Sequence, residues 1–466
     1  MSGAVVGWLG CIAALLAGCL GALSGCGGKG RPATQDGALT DAGASVDSAQ
    51  CPTADAASCA GEWPPLTAPA AASLQVPFEV KWAYVEPQGT GLFNVVVLPS
   101  AQKVVFRQGT SVIVLMGLDG GNIRRFGPVA GADLGLNIAA DARDDFYVAG
   151  EQQIYSYSAS GTLRWTTDLP GPFPAVSGSP GMAGFAIRGG TLYAGATDRR
   201  LHAIDTTDGR ERWSIPLAIE ASLTHPVGRG DTLFVPVLGG GLVAVDATSG
   251  AVRWQAPCPH LIAPNIPMPT RSMVLGGSYD FGGVIPKEET RVFALGKCDE
   301  LTTPVSLRGN PDWSLETRSG AVLARVEQRN HAVVDFALID LASNRELARR
   351  TIGVDDGVQR TFAAYVVAIG DDDVAYIVET YVPIGAPGEA SRLHRLSLPS
   401  LASVGPPLEI GEGATIGYAS AMTDEGLLIV PLARRVVAVQ TPSPGPLKGA
   451  WSLSHGDARA SKWLEP

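Results

Sequence analysis

Apolar positions in this chain come in short runs cut by Gly, Asp and Pro, with little of the three-and-four spacing of an amphipathic helix. The run Leu192-Tyr193-Ala194-Gly195 leads through Leu201-His202-Ala203-Ile204-Asp205 to Gly209-Arg210-Glu211-Arg212-Trp213. Forty-one residues later, Leu233-Phe234-Val235-Pro236 leads through Leu242-Val243-Ala244-Val245-Asp246 to Gly250-Ala251-Val252-Arg253-Trp254. An earlier copy passes from Phe146-Tyr147-Val148-Ala149 through Ile154-Tyr155-Ser156-Tyr157 to Gly161-Thr162-Leu163-Arg164-Trp165. Alternation such as Leu242/Ala244 against Val243/Val245 suits strands covered on both faces. Asp205 to Gly209 and Asp246 to Gly250 read as hairpin turns, where Asp bonds back onto the backbone and Gly takes a positive φ. A period just above forty residues with four short strands is the spacing of propeller blades.

Weaker copies run from Val104 to Phe126, Met273 to Cys298, Val322 to Arg349, Val374 to Val404 and Leu427 to Trp451, making eight units. The spacing Ala-x-Asp-x-x-x-Gly-x-x-x-Trp resembles the tryptophan-docking motif of the PQQ-like (quinoprotein-type) β-propeller repeats. Ala203, Gly209 and Trp213 match it in full, as do Ala244, Gly250 and Trp254, while Gly161 and Trp165 match in part. Phe126 stands one place late, and the fifth to seventh units lack the Trp. The resemblance implies that each Trp stacks on the next blade beside its Ala and Gly. The expected fold is all-β, an eight-bladed propeller, with seven blades as the other count. Two Trp-bearing segments flank the repeats, Val80-Lys81-Trp82-Ala83-Tyr84 and Ala450-Trp451-Ser452-Leu453. Nine Trp-like slots for eight blades is what a shared closing blade produces, so the strand at Trp82 is expected to pair within residues 427–455.

The N-terminus has a different pattern. Residues 1–26 carry no charge, and Val5 to Leu16 is an apolar run of signal-peptide length, though no Lys or Arg precedes it. Leu23-Ser24-Gly25-Cys26 resembles a bacterial lipobox, and Leu16-Ala17-Gly18-Cys19 repeats the pattern. Cys26 is favoured as the lipidated residue over Cys19, because polar residues follow it directly. Residues 26–75, rich in Ala, Gly, Asp and Ser, cannot bury enough surface to offset their ordering entropy and read as a disordered, flexible tether. The expected organisation is a lipoprotein signal peptide at 1–25, the tether at 26–75 and the propeller at 76–466. With Gly27 after Cys26, the lipoprotein sorting rule implies the outer membrane. Four cysteines remain, Cys51, Cys59, Cys258 and Cys298, an even number that suggests disulfides in an exported chain. Cys51–Cys59 with Cys258–Cys298 is one of three pairings.

Composition narrows the function. With 45% apolar and 17% charged residues a large core is available, and 57 Gly and 34 Pro exclude a helical repeat. A net charge of −10 without a basic run argues against nucleic acid. The six His form no metal-ligand pair, and His202 reads as a partly exposed blade residue. Asp371 to Asp373 read as a solvated turn. No catalytic residue, metal or cofactor is expected. Ser179, His225 and Asn265, polar residues beside Pro where innermost strands begin, are candidates for lining the channel mouth. In architecture the chain is similar to the propeller lipoprotein of the outer-membrane barrel-assembly machinery. That resemblance implies a monomeric, non-catalytic interaction scaffold, held to the membrane by its lipid and bound to an envelope protein. The alternatives are a PQQ-dependent dehydrogenase-like quinoprotein, against which the lack of an adjacent Cys pair counts, and a ligand-sensing propeller.

Overall fold

The computed structural model describes residues 77–448, apart from internal stretches of which the longest are 128–137, 171–184, 258–267 and 302–313, together with Leu453 and Trp463–Leu464. The chain divides into two units, Met1–Leu66 and Thr67–Pro466, and every described residue belongs to the second. The signal and tether therefore lie outside the described residues, as do all seven cysteines.

All regular structure among the described residues is β, in eight sheets of four or five strands, antiparallel throughout except for one parallel strand added to the fourth. The sheets occupy 92–126, 138–168, 185–216, 227–257, 268–301, 315–353, 359–412 and 421–440, and are numbered first to eighth in that order. Within a sheet the strands follow one another as a meander. The third sheet is typical: Phe185–Arg188, Thr191–Gly195, Arg200–Asp205 and Glu211–Pro216 lie side by side in chain order. Its second strand is buried throughout, whereas the fourth is exposed or half-buried. This gradient explains why Val, Ile, Leu and Tyr fill the inner strands and Arg, Glu and Trp the outer one.

Period-two alternation divides each inner strand between two neighbours. In the second sheet Phe146 and Val148 pack with Val96, Val105 and Ile113 of the first, while Tyr147 and Ala149 pack with Phe185 and Leu192 of the third. Tyr193 and Leu201 of the third sheet likewise meet Leu233 and Val243 of the fourth. Tyr376 and Val378 of the seventh meet Leu428 and Val430 of the eighth, and Ile429 and Val436 of the eighth meet Phe106 and Val114 of the first. Each fully buried Val, Leu, Ile or Phe contributes about 1.5–3 kcal/mol, so the interfaces between sheets carry the core. The innermost strands adjoin in succession from the sixth sheet through the seventh, eighth and first to the fifth.

The chain ends meet as the Trp count predicts. Glu79–Val85 pairs antiparallel with Arg435–Gln440, with Trp82 opposite Ala438, and forms the outer strand of the eighth sheet. The unit from Leu427 to Trp451 is thus completed from the other end of the chain. After Gln440 the chain leaves that sheet: Pro446 bridges to Gly370, just past the inner strand of the seventh, and Leu453 to Ala368 on that strand. Trp451 lies outside the described residues.

Candidate functional site

The motif residues gather where one sheet meets the next. Gly120, Gly161, Gly209 and Gly250 end successive turns between third and fourth strands, with φ of +86°, +79°, +78° and +76°. Each faces an aromatic ring from the preceding sheet. A Cβ on Gly209 would lie 2.7 Å from Trp165, one on Gly250 3.1 Å from Trp213, and one on Gly161 2.9 Å from Phe126. Trp82 of the closing strand takes the same place against Gly120, at 2.9 Å. The indole N–H groups donate to the same turns: Trp82 to Leu118 O at 2.7 Å, Trp165 to Thr206 O at 3.1 Å and Trp213 to Thr248 O at 3.2 Å. Phe126 fills its slot without such a donor. Within a sheet, buried Ala203 stands opposite Trp213 and Ala244 opposite Trp254, the small side chain leaving room for the indole. Trp254, half-buried, lies 6.1 Å from the Phe234 ring.

The residue before each Trp was not singled out by the sequence reading, although Arg-Trp recurs at 164–165, 212–213 and 253–254. Arg212 binds Asp205 at 2.8 Å, seven residues earlier, and Arg253 binds Asp246 at 2.6 Å at the same spacing. Arg253 also reaches Asp231 at 2.7 Å, and Arg164 reaches Asp145 at 2.8 Å. The hydrogen bond from Arg253, then those from Ser249, hold the Asp246 carboxyl below the usual range. These pairs stitch the outer strand to the turns at one end of the sheet.

His202 is buried, not partly exposed; its ring nitrogens lie 2.6 Å from Glu211 and 3.1 Å from Asp198. Asp371 to Asp373 form the expected turn, exposed at Asp371 and half-buried at Asp372 and Asp373, and its carboxylates are engaged. Arg318 of the sixth sheet binds Asp371 at 2.8 Å and Asp373 at 3.3 Å, while Ser443 donates to Asp372. These three acids thereby join the sixth and seventh sheets to the segment that follows the eighth. A further buried group lies in the seventh sheet: Glu379 accepts from Arg392 at 2.6 Å and His394 at 2.7 Å. Burial alone would raise its carboxyl, but these two partners outweigh it and hold it at about 2.

The channel-mouth candidates Ser179, His225 and Asn265, the lipidation candidates Cys26 and Cys19, and the disulfide candidates Cys51, Cys59, Cys258 and Cys298 all lie outside the described residues. Among the described residues no three His, Cys, Asp or Glu side chains group as metal ligands. What the described geometry does chemically is bind: it satisfies its polar groups between sheets and between turns.

Residues 103–264 match the family model described as outer membrane protein assembly factor BamB. They span the repeats in which docking glycines, Trp and Arg coincide. The body is a PQQ-like propeller similar to BamB. The crystal structure of BamB from Moraxella catarrhalis superposes with a TM-score of 0.53 at 14% identity, covering 78% of this chain and 100% of that one. The computationally designed Ika8 protein, at 0.49 and 10% identity, covers 76% of this chain and is itself covered to 98%. The C-terminal WD40 domain of Sif2, at 0.48 and 10%, gives 78% and 100%. No curated protein sequence matches the chain.

Proposed function

We propose that this chain is a non-catalytic scaffold of the cell envelope: an eight-bladed propeller, one blade per sheet, tethered through Cys26 to the outer membrane and docking an envelope protein partner. The match of residues 103–264 to the BamB model carries this reading. Leu23-Ser24-Gly25-Cys26 and the polar stretch after it support the tether. The described polar groups support the scaffold role, since Asp, Arg and Trp of the repeats are engaged in holding sheets together rather than set beside a nucleophile or base. Fold alone would not suffice, because propellers serve many functions.

Affinity capture of the tagged, lipidated chain from native envelopes tests the reading. Co-recovery of barrel-assembly components is the expected result. Recovery with quinone and calcium and no protein partner would replace the scaffold with an enzyme.

A further inference from the structure

The innermost strand of each sheet leaves one edge toward the axis. Among the described residues only one of these edges carries another strand: Trp463–Leu464 pairs in parallel with Val227–Arg229 of the fourth sheet, Gly228 opposite Trp463 and Arg229 opposite Leu464. Among the described residues Gly228 is also the only glycine in an innermost strand. Glycine inside a strand allows another backbone to approach closely. Earlier in the same segment, Leu453 is buried against the seventh sheet and bridged to Ala368. The chain after the last repeat is thus held at two points, on the seventh and on the fourth sheet.

We propose that the inner edge of Val227–Arg229 is a peptide-binding site that accepts an extended segment in parallel, and that the C-terminal segment of this chain is its resident occupant. Strand addition draws affinity from main-chain hydrogen bonds, which an unpaired edge offers to any extended chain. The resident segment has the advantage of connection. Nine residues link Leu453 to Trp463, and a short link sets an effective concentration of order millimolar. A peptide supplied in trans must displace it. The site is therefore self-blocked, and an incoming extended segment opens it by exchange. This follows from strand pairing alone and stands whether or not the envelope partner is the one proposed above.

A fluorescent peptide of residues 459–466 is titrated into the full chain and into a chain ending at residue 456. The shortened chain is expected to bind at least about tenfold more tightly. Equal affinity, or no binding to the shortened chain, overturns the proposal. Leu464→Pro in the full chain provides a second measurement, because proline cannot donate to the ladder. Hydrogen exchange at Val227–Arg229 is expected to quicken at least about tenfold, with Thr232–Val237 unchanged, as local opening of one edge requires. Unchanged exchange at Val227–Arg229 overturns the proposal. So does a dimer, seen by sedimentation, that Leu464→Pro dissolves, since the occupant would then come from a second copy.

Discussion

Gly209→Ala and Gly320→Ala separate the docking of indole on glycine from the ordinary strain of a left-handed turn. Both glycines have nearly the same backbone angle, φ +78° and +82°. An L-residue there costs roughly 1–2 kcal/mol in either place. Only their surroundings differ. A Cβ on Gly320 meets nothing within 4 Å, whereas on Gly209 it would sit 2.5 Å from Thr167 Oγ1 and 2.7 Å from Trp165 Cε3. Neither can give way cheaply: Thr167 Oγ1 donates to Gly209 O at 2.6 Å, and the Trp165 ring is fixed by its bond to Thr206 O and by Tyr147 at 5.7 Å. Overpacking of this kind costs about 1–3 kcal/mol. The expected losses are therefore roughly 1–2 kcal/mol for Gly320→Ala and 2–5 kcal/mol for Gly209→Ala. Urea unfolding followed by tryptophan fluorescence measures both, read as the shift of midpoint at unchanged slope. Equal shifts within about 0.5 kcal/mol, the usual spread of surface substitutions, would refute the idea that glycine is there to receive the ring.

Three other outcomes are expected. Deleting 77–86 removes the closing strand and bares the Arg435–Gln440 edge, so light scattering should show aggregation, whereas deleting 27–70 should leave the melting temperature unchanged; a soluble, unaltered 77–86 deletion would contradict the closure. Glu379 is held at about 2 against an ordinary 4.5. A lowered carboxylate stabilises the fold fully above 4.5 and loses that contribution as pH falls toward 2, up to about 3 kcal/mol. Glu379→Gln should flatten the stability profile in that window, and an unchanged profile would show that the carboxylate is not linked to folding. Cys26→Ser should abolish incorporation of labelled lipid and release the chain from membranes; continued labelling would move the anchor to Cys19.

The repeats were legible because the same small set of constraints is imposed again and again. A turn needs glycine at positive φ, an indole needs a flat place to lie, and a doubly covered strand needs apolar residues on both faces. Ala203, Gly209 and Trp213 register all three at once. Copies without Trp, such as the sixth sheet with Asn344 at φ +53°, keep the turn and lose the mark. The closing strand was legible from Trp82 by counting, since a spare docking residue must have a partner. What the pattern concealed were partnerships between units and between strands. Arg318 reaches Asp371 and Asp373 from another sheet, whereas Glu379 meets Arg392 and His394 across neighbouring strands of its own sheet, and the repeat motif records neither. His202 was misjudged because a polar residue on a repeat strand looks exposed until Glu211 and Asp198 are seen to enclose it. The pairing of Trp463–Leu464 with Val227–Arg229 has no signal beyond Gly228.

The eighth sheet also dictates an order of events as the chain is made. The meanders of the first seven sheets are contiguous in sequence, and each can form soon after its own residues emerge, using the previous one as a template. The eighth cannot. Trp82 is among the first described residues to appear, and Ala438, its partner, comes 356 positions later. Bringing such distant points together in an unfolded chain would cost about 5 kcal/mol in loop entropy. Stacking the intervening sheets brings the two ends near each other before they pair, so most of that cost is met in seven small local steps. Until the last step, Glu79–Val85 waits unpaired with Val80 and Val85 among its residues. Synthesis therefore reaches one late commitment, in which the earliest described strand finds the last repeat and an open stack of sheets closes.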